Sequence, residues 1–476
     1  MRSTFAAACW LALLATCSPG ADAPDAAAPP NVLFVMVDDL GYADPGYSGS
    51  DLHETPNIDR FARGAVRFTD AYAAASVCSP TRAALMAGKY PARLHITVWY
   101  EASSRPPQNR RLVPPVTVGN LPLEEVTIAE RLHAAGYLTA HVGKWHLGDA
   151  GHYPETQGFD VNVGGTYWGA PDTFFWPYRG SKTFGGGELR YVPHTEFGRP
   201  GEYLTDRLTD EALKILDQTG SRPFFLYLAY HTVHTPIEAK PDDVARFEPK
   251  VRPGLRHGNA TYAAMVHSLD ENFGRVLAKL DELGIAENTI VLLTSDNGGF
   301  VNEFRGRTVT NNAPLRSGKG SLYEGGIRVP LAVRWPGVTS PGGVCREPVV
   351  TMDFYPTILE MTGVPGDPEQ NAALDGRSIV PLLRDPAAKL GRQDLFWHYP
   401  HYYPTTTPVS AVRSGDWKLL EYLEDGHVEL YNLADDLGET KDLSAELPDR
   451  AAALREKLHA WRKAVDAQMP QPGEHR

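Results

Sequence analysis

Asn31-Val-Leu-Phe-Val-Met-Val37 is an almost unbroken apolar run, and it leads directly into Asp38-Asp39. A strand with one wet face alternates apolar and polar side chains; a continuous apolar run suits a strand covered on both faces, as in a parallel sheet between helices. Two later segments have the same form. Phe224–Tyr230 (FFLYLAY) runs into His231 and His234, and Thr289–Thr294 (TIVLLT) runs into Asp296 and Asn297. Each apolar run therefore ends in side chains capable of chemistry.

Helical patterns alternate with these runs. Thr127 and Glu130 have the spacing of a capping box ahead of Ile128, Leu132 and Ala135, and Gly136 supplies a stop. The strand-like Tyr137–Val142 then delivers Lys144 and His146. Leu204, Leu208, Ala212 and Ile215 make one helical face; Val266, Leu269, Phe273, Val276, Leu280 and Leu283 make a longer one. The alternation predicts the α/β class: a large N-terminal domain over 31–375, with a mostly parallel mixed sheet sandwiched by helices. Ligands of such sheets bind beyond the carboxyl ends of the strands. Over 376–476 the pattern changes to short antiparallel strands, Trp417–Glu421 and His427–Tyr431, and a terminal helix with Leu454, Leu458, Trp461 and Val465 on one face. That predicts a smaller C-terminal α+β domain with a short antiparallel sheet and a helix. Between Gly164 and Gly201, Gly, Pro and aromatic residues crowd a stretch without a period, which reads as a long ordered loop near the active face.

The 476 residues carry a formal net charge of −12, which excludes nucleic acid as a partner, because phosphate backbones are met by basic surfaces. An anionic small substrate would need a local cluster of Lys, Arg and His. At the N-terminus Arg2, the apolar Phe5–Ala15 and a small-residue segment follow the order of a secretory signal over 1–23, with cleavage after Ala21-Asp22-Ala23. Leu14-Ala15-Thr16-Cys17 also resembles a lipobox, so a lipid anchor at Cys17 stays open beside simple export to the periplasm or the outside. Residues 24–30 read as a flexible tether. No later apolar run is long enough to span a bilayer. Of four cysteines two fall in this leader, leaving Cys78 and Cys345, too few for a disulfide framework.

The acidic pair Asp38-Asp39 and the pair Asp296-Asn297 offer oxygen ligands at the ends of two strands, as calcium or magnesium requires. Either pair alone also reads as a turn, since the same residue types favour turns. Cys78-Ser-Pro-Thr-Arg82 is followed by Ala83-Ala-Leu-Met-Ala-Gly-Lys89. Taken by itself it places a thiol near the positive end of a helix dipole, where an anion would also bind; an inert buried cysteine remains the alternative.

The Cys78–Lys89 segment is similar to the signature of the type I sulfatases, arylsulfatase-like members of the alkaline phosphatase-like superfamily, in which the cysteine is oxidised to formylglycine. Further blocks resemble the family in order: VDDLGY at Val37–Tyr42, GKWHLG at Gly143–Gly148, HTVHTP at His231–Pro236, SDNGG at Ser295–Gly299 and GKGSLYEGG at Gly318–Gly326, with ELYNLADDLGETKDL in the small domain. The resemblance implies one Ca2+ held by Asp38, Asp39, Asp296 and Asn297, with residue 78 completing the site. It implies that Arg82 holds the hydrated aldehyde, and that Lys144, His146, His234 and Lys319 surround the sulfate. One hydroxyl of the hydrate would attack sulfur, and the other, deprotonated by His146, would expel sulfate. His234, assisted by Lys319, would protonate the leaving alcohol, predicting a bell-shaped pH profile. The implied partners are a sulfated small molecule or saccharide, cleaved in an exo fashion, and a formylglycine-generating enzyme. A phosphonate monoester or phosphodiester hydrolase of the same superfamily, or a non-catalytic carbohydrate-binding relative, are the competing readings. Trp99, Tyr100, Trp168, Trp176 and Tyr178 are candidates for a sugar platform, with packing of the loop at least as common a use of such rings.

Overall fold

The structure, a computed structural model, describes residues 28–184 and 187–473. The expected leader, 1–23, and most of the tether, 24–30, lie outside the described residues. Among the described residues no helix is long and apolar enough to cross a membrane.

The large sheet is built from β1 (Asn31–Val37), β2 (Val66–Phe68), β3 (Leu138–Gly143), β4 (Val161–Val163), β5 (Phe224–Ala229), β6 (Thr289–Ser295), β7 (Leu331–Arg334) and β8 (Val344–Cys345), in the spatial order β8-β2-β7-β6-β1-β5-β3-β4. β1 pairs in parallel with β5 and β6, and β3 with β4 and β5, whereas β7 runs antiparallel to β6 and β2. The central strand divides its side chains as its sequence predicts. Leu33, Val35 and Val37 enter one core, packed with the helices Leu204–Gln218 and Ala260–Glu282. Val32, Phe34 and Met36 enter the other, with the helices Ile128–Ala134 and Phe354–Thr362. Because successive strand residues face opposite ways, an apolar residue at every position is what burial on both faces demands.

The capping box forms: Thr127 accepts from the Glu130 N–H at 3.1 Å and Glu130 accepts from the Thr127 N–H at 2.7 Å. In the last hundred residues a separate antiparallel sheet runs β9 (Asp394–Tyr399), β10 (Val409–Ser414), β11 (Trp417–Tyr422) and β12 (Val428–Asn432), covered by the helix Pro448–Ala464. It is separate in strand pairing but not in packing. Its Trp397, Val412 and Leu420 share a core with Val77 and Ala84, which flank Cys78 in sequence. Among its described residues the Gly164–Gly201 loop contains no helix or strand, and two isolated bridges pin it, Phe175 with Tyr203 and Gly180 with Arg190.

Candidate active site

Strand register lines up the predicted chemistry. Val37 pairs with Ser295, so Asp38 and Asp296 emerge side by side; Ala229 pairs with both Met36 and Gly143, which brings Lys144 and the His231–His234 segment to the same edge. A Cβ on Gly143 would lie 1.9 Å from Ala229 O, so only glycine permits this approach. Asp39 and His146 turn away from their strands with φ of 62° and 63°, a left-handed backbone that non-glycine residues occupy mainly where a site requires it. Cys78 is the first residue of the helix Cys78–Ala87, whose axis starts at this edge, and is 2 % exposed.

Here the ten predicted residues meet. Lys144 Nζ donates to Asp38 Oδ2 at 2.7 Å, and Lys319 Nζ reaches Asp39 Oδ1 at 2.8 Å and Oδ2 at 2.9 Å. Arg82 donates from Nε and one terminal nitrogen to Asp296 Oδ2 at 3.0 and 2.8 Å, and from the other to Lys144 O at 2.8 Å. Three cations thus face three carboxylates. The Cys78 thiol sits between the two groups, 3.4 Å from Asp38 Oδ1 and 3.5 Å from Lys319 Nζ.

Burial and these charges set the protonation states. Burial pushes the Asp38 carboxyl up to about 7, against the pull of Lys144. Burial acts in the same direction on Asp39, but Lys319 and His234 outweigh it and bring Asp39 down to about 2. At Asp296 burial is likewise outweighed by Arg82 and Lys144, and the carboxyl is lowered. Burial opposes the charge of Lys319, yet Asp39 and Cys78 hold it well above its usual value. His146 is held well below 6.5 by burial and by Lys144 and Arg82. Neither of its ring nitrogens has a partner among the described residues, and a Cβ on Gly169 would strike the ring at 2.2 Å. His234 is pushed down to about 3 by burial and Lys319. That direction works against His234 as a resting proton store and favours Lys319, which shares Asp39 Oδ2 with it at 2.9 Å against 3.6 Å.

The donor set fits a hard cation. Asn297 Nδ2 donates to Asp39 Oδ1 at 2.7 Å and to Gly298 O at 3.0 Å, which fixes the amide and leaves Oδ1 buried without a partner among the described residues. Asp38, Asp39, Cys78 and His234 bring ligand atoms within 4.8 Å of one another. Asp296 joins them through its Oδ1, which accepts from the Asp39 N–H at 3.1 Å. Carboxylate and amide oxygens are the ligands calcium prefers.

A cavity of about 240 Å³ opens over Cys78, His146, His234 and Lys319. Of the predicted aromatic platform it receives Trp99 alone. Tyr178 is 0 % exposed and donates to Glu202, and Trp176 packs against the core, so both stabilise the loop instead. Sequence reasoning did not select Ser79, whose hydroxyl holds His146 O at 2.9 Å, or Thr405, which holds Lys319 O at 2.7 Å. It also passed over Glu101, Arg190, Phe300 and Tyr403 in the cavity wall; none belongs to a motif or a periodic run.

Residues 30–364 match the family model described as Sulfatase, and residues 318–464 match the model for the C-terminal region of N-sulphoglucosamine sulphohydrolase. A sulfatase of Formosa agariphila is 36 % identical over 92 % of this chain and 89 % of its own length. Human arylsulfatase A is 35 % identical over 82 % of this chain and 75 % of its own. Among solved structures, Ps i-CgsB in complex with k-i-k-neocarrahexaose superposes with a TM-score of 0.76 at 31 % identity, covering 91 % of this chain and 92 % of that one.

Proposed function

This chain belongs to the sulfatase family and is a sulfuric ester hydrolase; from that premise we propose that it removes sulfate from a carbohydrate in an exo fashion, using calcium and a formylglycine formed from Cys78. The observation that carries the proposal is the meeting of Cys78, three carboxylates and three buried cations at one strand edge beneath an open cavity.

Asp38, Asp39, Asp296 and Asn297 would hold the calcium, with residue 78 beside them. When present, calcium supplies positive charge for the sulfate oxygens, and the hydrated aldehyde supplies a hydroxyl nucleophile at neutral pH. Since the six charged side chains cancel formally, a divalent ion leaves the site positive, which draws an anion despite the net charge of −12. Lys144 and Lys319 bind sulfate oxygens and stabilise charge as the ester bond breaks. His146, unpartnered among the described residues and neutral, would accept the proton of the hydrate's second hydroxyl as sulfate is expelled, and Lys319, through His234, would return a proton to the leaving alcohol oxygen. A cavity of about 240 Å³ is below the roughly 300–1,000 Å³ of drug-sized pockets, and a space of that size favours one terminal sugar unit over the middle of a polymer. The complex of Ps i-CgsB with k-i-k-neocarrahexaose supports a saccharide substrate. We further assign 1–23 to an export signal, leaving lipidation at Cys17 open, 24–30 to a tether, 31–375 to the catalytic domain and 376–476 to the small domain.

The test is release of sulfate against phosphate from matched aryl esters. The enzyme is made beside a formylglycine-generating enzyme and compared with Cys78→Ala and with a calcium-stripped sample. Sulfate release that vanishes in both controls is the expected outcome. Release that survives the cysteine substitution refutes the nucleophile.

A further inference from the structure

One wall of the cavity carries polar groups that the reaction does not use. Arg190, from the Gly164–Gly201 loop, lies with its guanidinium carbon 4.3 Å from the Phe184 ring centre and 4.9 Å from that of Trp168. The nearby Glu188 is engaged by Arg105 at 2.6 Å, and no carboxylate among the described residues comes within salt-bridge distance of Arg190. Glu101, on the short helix Tyr100–Ser104, keeps Oε2 buried with no hydrogen-bond partner among the described residues. Burial raises its pKa against the pull of its own backbone N–H, of Arg190 and of the Tyr167 hydroxyl, which lies close by. Trp99 completes this side, held edge-on against Tyr403 with ring centres 6.1 Å apart. Arg190, Phe184, Glu101, Trp99 and Tyr403 line the same cavity as Cys78.

A stacked, unpaired guanidinium beside an unpaired carboxylate oxygen is a donor and an acceptor fixed in advance. Both side chains are partly buried, and a ligand hydroxyl that matches a partly desolvated donor or acceptor recovers part of the cost of its desolvation. The surroundings argue against a second anion at this place: Arg190 already lies in the field of Glu101, Glu188 and Asp172. Sulfate or carboxylate there would meet Glu101 at close range.

We propose that Glu101 and Arg190 read the sugar: Glu101 accepts from one hydroxyl, Arg190 donates to a neighbouring oxygen, and the unit they hold carries a single sulfate, the one presented to residue 78. This rests on the carbohydrate reading above. It predicts that the enzyme selects monosulfated units with free hydroxyls and rejects units sulfated twice.

The experiment compares 4-nitrophenyl sulfate with a panel of mono- and disulfated galactose, N-acetylgalactosamine and glucosamine derivatives. It uses the formylglycine-bearing, calcium-loaded full chain and its Glu101→Ala and Arg190→Met variants. The expected result is that the saccharide-to-aryl ratio of kcat/KM falls about tenfold to a hundredfold in each variant, chiefly through KM. Glu101→Gln, which keeps an acceptor, should recover part of the loss. An unchanged ratio in both variants, with sugars still cleaved, overturns the assignment of Glu101 and Arg190. So does a parent enzyme that prefers disulfated units. A parent enzyme that turns over the aryl ester and no sugar overturns the carbohydrate reading itself, and that outcome is visible before any substitution is made.

Discussion

Lys418 Nζ reaches Glu324 Oε1 at 2.8 Å, and neither side chain has any exposure. Lys418 belongs to the small sheet, and Glu324 lies five residues beyond Lys319 on the segment that closes over Cys78. Glu439 Oε1, at 2.9 Å, shares the same ammonium. The small sheet is thereby fastened to the catalytic loop by charge as well as by packing.

Replacing Lys418 with Met would leave buried Glu439 without its cation and buried Glu324 with Arg328 alone. A loss of about 3–5 kcal/mol is expected, the usual result of removing one partner of a buried pair. Urea unfolding at fixed calcium measures it, and a loss below about 1 kcal/mol would show that the fastening is dispensable.

The same cluster makes stability depend on pH in two opposite ways. Glu439 is raised by burial to about 7, so between 4.5 and 7 the folded chain holds a proton the unfolded chain has lost, and stability falls as pH rises through that window. Glu324, where Lys418 and Arg328 outweigh burial, is lowered to about 2, so its contribution is present above 4.5 and is lost as pH falls through 2. Glu439→Gln should flatten the slope between 4.5 and 7. An unaltered slope in chemical denaturation would assign it to other groups.

Arg82→Lys should reduce turnover of an aryl sulfate by about a hundredfold or more, because a lysine cannot span Asp296 Oδ2 and Lys144 O together. Steady-state kinetics with matched calcium loading checks this. Near-normal kcat would mean that Arg82 serves only to hold the fold.

On the acid side, the rate should fall only below the ordinary histidine value of 6.5, since burial and the lysine and arginine charges hold His146 neutral well beneath it. The kcat/KM profile locates this limb. A limb centred at or above 6.5 would remove His146 from the role of base.

Calcium should protect the fold as well as activate the enzyme. At a hundred times its dissociation constant the gain is about 2.7 kcal/mol, lost on chelation, and Asn297→Ala should shrink it. Thermal unfolding with and without chelator measures both effects; equal midpoints would argue against the site.

Asp38, Asp39, Asp296 and Asn297 were legible because each follows a run whose unbroken apolarity marks both the strand and its end. Lys144, His146, His234 and Lys319 came from resemblance, since an isolated lysine or histidine has no sequence mark of burial. At Tyr178 and Trp176 the packing alternative holds; a core ring and a platform ring look alike in composition. The pairing of Lys418 with Glu324 and Glu439 left no mark, because nothing along the chain tells that residues so far apart in sequence will be dehydrated together. Glu101 and Arg190 sit in segments without period or motif, and only the folded cavity puts them opposite the thiol.

Every residue of the helix Cys78–Ala87 is buried. An oxidising enzyme that must take position 78 into its own cleft cannot do so while this helix is packed; exposing it requires opening much of the domain, an event that costs a large part of a stability of about 5–15 kcal/mol. The conversion proposed for Cys78 is therefore a task for the chain before it folds, and folding sets its deadline. On that proposal a molecule that folds first would be trapped with a thiol, correctly shaped and inert, and the active fraction of a preparation would record a race between maturation and folding.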